Sequence, residues 1–178
     1  PHPRQPAVIG TAPKETLMNT YLLIKTIHIL SSVLLVGTGF GSAFYLFFIH
    51  RSKNLQAIAE VSRLVVRADW WFTTPAVIIQ PLSGLVLMQM GGWSVTQDWI
   101  LAALILYTIA GACWLPVVWI QIRLRRIARE CIDQGRSLPS RYWQLAKYWE
   151  WLGYPAFTAM LIIYLLMVLK QIFHCTKI

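Results

Sequence analysis

The run Tyr21–Ile49, YLLIKTIHILSSVLLVGTGFGSAFYLFFI, is apolar throughout and carries Lys25 as its only formal charge. A helix needs about 20 such residues to cross a bilayer, so this stretch is read as a first transmembrane helix. The rest of the chain then has to be read with lipid, as well as water, as its solvent. Further apolar stretches lie at about 69–90 and 98–120, and a fourth runs from the aromatic entry RYWQLAKYWEW, residues 141–151, to near Lys170. With 57% hydrophobic and 13% charged residues and a mean hydropathy of +0.54, the composition excludes an ordinary soluble domain. The expected fold is all-α, a polytopic integral membrane four-helix bundle over residues 18–170. A disordered tail is expected over 1–17, which contains Pro1, Pro3, Pro6 and Pro13, and a short tail over 171–178.

The net charge of +9 raises the question of nucleic acid, but the cations gather at helix ends, as membrane topology requires. Arg51, Lys53, Arg63 and Arg67 fall around the first loop; Arg123, Arg125, Arg126, Arg129, Arg136, Arg141 and Lys147 fall around the third; the turn GGWSVTQ at 91–97 has none. Both basic loops are therefore expected on the cytoplasmic side of an inner (plasma) membrane, with both termini outside, and no nucleic-acid partner is expected. The run Arg123, Arg125, Arg126 and Arg129 also forms a basic surface that could bind anionic headgroups or an acidic partner, each charge contributing about 1 kcal/mol near such a surface. Its plainer role is to set topology.

Trp70 and Trp71, and Trp93 and Trp99, mark membrane interfaces. Pro75 and Pro81 should kink the second span and free backbone carbonyls for a neighbouring helix to cover. Asp69 and Asp98 are expected as N-terminal caps and dipole partners of spans two and three, and Glu150 as an ion-pair partner of Lys147. Cys113, Cys131 and Cys175 show no metal-binding spacing and sit at three levels, so neither zinc nor a disulfide framework is expected.

His28 is the one histidine expected inside the lipid, two turns from the outer end of helix one and about 10 Å deep. Ionisable groups in that position face a bundle interior and mark sites. At helical spacing Lys25, His28, Ser32 and Gly39 share a stripe. Gly37 and Gly41 form a small-xxx-small step, and Gly84 and Gly111 offer further close-approach positions for helix packing. A neutral imidazole there can be an axial ligand to haem iron or a proton-transfer group; the plainer role is an interhelical hydrogen bond. Gln80 and Gly84, Tyr107, and Met160, Tyr164 or Met167 stand at matching depth on the other helices. Lys25 could neutralise a propionate or snorkel to the headgroups.

The segments YLLIKTIHIL, TTPAVIIQPLSGLVL, GACWLPVVWIQIRLR and YPAFTAMLIIYLLMVLK resemble an uncharacterised family of bacterial predicted integral membrane proteins, over nearly all of Met18 to Lys170. More distantly, KTIHIL, the Pro75–Gly84 segment and the helix ending at Lys170 are similar to the HemJ-type protoporphyrinogen oxidases. That resemblance implies b-type haem held by His28, with Lys25 as its companion; the helical stripe adds Ser32 to the same candidate cofactor site. It also implies a redox function. The segment Gly41–Ile49 without arginine, Asp98-Trp99-Ile100 at the start of helix three and Lys170-Gln171 depart from the HemJ pattern, so the four-helix plan and the histidine carry over better than the oxidase activity. The alternative is a non-enzymatic membrane subunit or scaffold. It would bind a second copy or a membrane partner through the Gly37 and Gly41 face and the basic helix.

Overall fold

Long helices bounded by short turns account for almost the whole chain. The computed structural model describes the backbone of residues 12–175 and the side chains of residues 14–169. Helix α1 covers Ala12–Ser52, α2 Leu55–Ala68, α3 Thr74–Met90, α4 Asp98–Asp133 and α5 Ser140–Cys175, and a π-helical turn at Asp69–Thr73 joins α2 to α3 without a break. Among the described residues four helices are long and apolar enough to cross a membrane, with Leu55–Met90 counting as one. The helix ends differ from the tails expected from sequence: α1 already includes residues 12–17 and α5 includes 171–175. The remaining tail residues, 1–11 and 176–178, lie outside the described residues.

Aromatic side chains delimit the membrane. Trp99 and Trp119 on α4 stand 20 positions apart, which at 1.5 Å per residue is about 30 Å, the thickness of a hydrocarbon core. Tyr45, Trp70, Trp71, Trp119 and Trp151 are exposed at the end where Arg51 meets Glu150 and Asp69 meets Gln121, and are read as one belt; Trp93 and Trp99, with ring centroids 5.6 Å apart, belong to the other. Between the belts the outward faces are Leu, Ile, Val and Phe, the surface a bilayer accepts. At the basic end α4 runs on past Trp119 for about 20 Å.

The packed core lies in that projecting basic end. Leu46 of α1, Ile58 and Val65 of α2, Ile120, Leu124 and Ala128 of α4, and Tyr142, Ala146 and Trp149 of α5 form one buried cluster. Helix α2 is strongly one-sided, burying Ile58, Val65 and Val66 together with the polar Ser62, at the spacing of a helix buried on one side. Asn54 caps it, its side-chain oxygen accepting from the Ala57 amide at 3.1 Å.

Through the membrane the bundle divides into two pairs. Helix α4 packs most extensively on α5, and α1 on α3. The pairs are joined at the basic end, where α2 lies against α4 and α1. Between them, within the bilayer, one polar link is Tyr107 on α4, whose hydroxyl donates to the Val77 carbonyl at 2.6 Å. Pro81 explains why that carbonyl is free. Proline has no N–H to give to the residue four positions earlier, and Val77 is that residue. The expected coverage of a proline-freed carbonyl by a neighbouring helix is thus observed, with Tyr107 as the covering group.

Candidate functional site

The structure separates two polar features that lie in the membrane. The first is built around His28. Its ring is half-buried between α1 and α3, Nδ1 lies 2.9 Å from Ser83 Oγ, and the Gln80 side-chain amide stands 3.2 Å from Nε2. Ser31 donates to Gln80 Oε1, and Ser83 donates to the Ile79 carbonyl at 2.6 Å. With Ser31 donating to Gln80 Oε1 and Ser83 to Ile79, the Gln80 amide donates to Nε2 and Nδ1–H donates to Ser83. Gly84 makes room for the ring, since a Cβ there would meet His28 Cε1 at 3.2 Å. In hydrocarbon, where α1 and α3 gain little from excluding water, such a polar clamp specifies how the helices seat.

The neighbours of His28 are not all those of the sequence stripe. Ser31, one residue before Ser32, faces α3, whereas Ser32 donates to the Ile29 carbonyl of its own helix. Lys25 is exposed. A haem iron would have to displace Gln80 from Nε2 or Ser83 from Nδ1, and His28 does not border the cavity described next. The residues around His28 therefore do not fit haem in this arrangement. Among the described residues no group of three or more His, Cys, Asp and Glu side chains is placed to hold a metal ion, and Cys113 and Cys131 are free.

The second feature is a cavity of about 430 Å³ between the two helix pairs. Its body is apolar and aromatic, with Phe40 stacked on Phe157 at 5.3 Å between centroids. Gly39, Gly111 and Gly153 lie on its wall from three different helices, and at each a Cβ would meet nothing within 4 Å. These glycines hold space open. The same is true of Gly37 and Gly41, where a Cβ also meets nothing within 4 Å, so the small-residue step and Gly111 make no close helix contact within this chain. Gly84 does.

The polar end of the cavity carries Asp69, Thr73, Gln121 and Glu150, at the level of the Trp70 and Trp119 belt. Asp69 was expected as a helix cap, and the structure gives it another place: the helix is already running, and the π turn directs Asp69 and Thr73 inward while Trp70, Trp71 and Phe72 face out. Pro75 follows that turn and withholds the N–H that would bond the Trp71 carbonyl, which loosens the helix there. Thr73 donates to Asp69 Oδ1 at 3.0 Å. Glu150 meets Arg51 at 3.6 Å rather than Lys147, and the Arg51 guanidinium lies over the Phe47 ring. Asp98 keeps its dipole role in the first turn of α4, but Gln97 is the residue at the cap.

The basic run is partly engaged. Arg123 lies over Trp119, its guanidinium carbon 5.0 Å from the ring centroid, and Arg129 pairs with Asp133 at 3.3 Å; Arg125 and Arg126 are exposed. His50, at the opposite end of α1 from His28, is enclosed in the packed core, where its Nε2 lies 2.9 Å from the Tyr142 hydroxyl.

No curated protein and no solved structure matches the chain. Residues 22–171, all four spans, match the DUF2269 family, described as predicted integral membrane proteins, and by that match the chain belongs to this family.

Proposed function

We propose that this protein binds a largely apolar molecule inside the membrane, in the cavity between the α1–α3 and α4–α5 pairs. The observation that carries the proposal is the cavity itself. Its volume of about 430 Å³ lies in the range of ligand sites, roughly 300–1,000 Å³, and its apolar body with a few convergent polar groups at one end is the usual form of such sites. With the basic loops on the cytoplasmic side, as the charge distribution favours, the Asp69 end sits at the inner interface and the apolar body reaches toward mid-membrane. A molecule entering from the bilayer would slide in tail first and leave its polar end near the surface.

The test uses the neutral fluorophore N-phenyl-1-naphthylamine and the full chain in detergent, together with mass spectrometry of co-purified lipids. Saturable binding that is lost in Gly111→Leu, a change that fills open space, supports the reading. Binding that is non-saturable or untouched by Gly111→Leu overturns it.

A redox role on haem b rests on the distant HemJ-type resemblance of KTIHIL, and it would require the clamp to release the imidazole. Oxidised and dithionite-reduced absorption spectra decide it. A Soret band lost in His28→Ala supports haem, and a colourless, folded protein from haem-sufficient cells removes it.

A further inference from the structure

Among the described residues, three buried polar atoms on the cavity wall lack partners, two acceptors (Asp69 Oδ2 and Gln121 Oε1) and one donor (the Trp149 indole N–H). Asp69 is 4% exposed, and while Thr73 serves Oδ1, Oδ2 makes no hydrogen bond. Gln121, 5% exposed, hydrogen-bonds the Asp69 carboxyl group through its side-chain amide, and its own Oε1 has no donor. The other carboxylate on the wall, Glu150, already has the Arg51 guanidinium. Among the described residues no Lys, Arg or His forms an ion pair with Asp69. A carboxylate shut away from water with no counter-charge is costly and draws a donor or a cation to itself. The rest of the wall includes the rings of Phe40, Phe157, Trp114 and Trp149, and aromatic rings tolerate a neighbouring cation.

We propose that the cavity takes a lipophilic cation, an organic amine or onium ion with a bulky apolar body, whose positive centre sits against Oδ2 of Asp69. The inference rests on the reading of the cavity as a binding site and adds the sign of the ligand's charge. Apolar walls alone would accept a molecule of any charge; the unpaired carboxylate selects. A proton on the Asp69 carboxyl group removes its need for a counter-charge, so cation and proton compete for one place. The other titratable groups on the wall are Glu150, held by Arg51, and Tyr107 and Tyr154.

The experiment compares tetraphenylphosphonium and tetraphenylborate, ions of nearly equal size and shape and opposite charge, by calorimetric titration into the full chain in uncharged detergent. Wild type, Asp69→Asn and Gly111→Leu are tested, with N-phenyl-1-naphthylamine as the neutral control. The expected result is binding of the phosphonium in preference to the borate. Asp69→Asn, nearly isosteric, should weaken phosphonium binding by about tenfold or more while retaining the neutral probe, and Gly111→Leu should lose both. Equal binding of the two ions, or an Asp69→Asn variant that holds the phosphonium as well as wild type does, overturns the cation inference and leaves the cavity reading standing on the neutral probe. A wild-type protein that does not bind the neutral probe overturns the cavity reading itself.

Discussion

The two ends of this bundle are held together by different physics. Beyond the Trp119 belt, Ile58 and Leu124 are wholly buried and Leu46 nearly so, and nine residues close into a single cluster. Between the belts, apolar side chains of the same types point outward, and the helices meet at a polar clamp and leave a cavity. The contrast follows from the solvent. Where the alternative to a helix contact is water, burying a leucine stabilises by roughly 1.5–3 kcal/mol. Where the alternative is lipid, the same burial gains little, and small residues and hydrogen bonds decide how helices sit. A splayed membrane half with a cavity is affordable because the basic end supplies the cohesion.

The sharpest way to break this comparison is to remove equal volume from each region. Leu124→Ala or Ile58→Ala should lower stability by about 2–5 kcal/mol, whereas the lipid-facing Leu30→Ala should change it by no more than about 0.5 kcal/mol, read by thermal or SDS unfolding in mild detergent. Equal losses would mean that the cluster is not the anchor of the fold. The clamp comes next: His28→Ala should lower stability by about 1–3 kcal/mol because it strands Ser83 and Gln80. A double-mutant cycle of His28 with Gln80 should give a coupling near 0.6 kcal/mol and no more than about 1.7 kcal/mol. Tyr107→Phe removes the donor to the Val77 carbonyl and should cost about 1 kcal/mol. The smallest effect has the opposite sign. Gly111→Ala adds a methyl to open space in a helix interior and should stabilise by up to about 1 kcal/mol; a loss instead would place a neighbour where the structure has none.

Much of the fold was legible because a bilayer imposes nearly one-dimensional rules. Each span must be an apolar run long enough to cross, must satisfy its own backbone and must end at aromatic and basic residues, and all of that is local in sequence. Four spans, the Trp belts and the basic loops follow from such counting, and so does the free carbonyl at Val77, four positions before Pro81. His28, Gln80 and Gly84 were legible as residues at one depth because depth is also a count along each helix. Rotation about the helix axis was not. Neighbouring residues on a helix differ by about 100°, so whether Ser31 or Ser32 meets α3 depends on how α1 is turned against its partner. The π turn re-aims Asp69 in the same way, converting an apparent cap into the acidic end of a cavity. Gly84 and Gly111 read alike in sequence, yet one receives an imidazole and the other borders open space, because a glycine's role is set by what stands opposite it and only the packing of the helices supplies that.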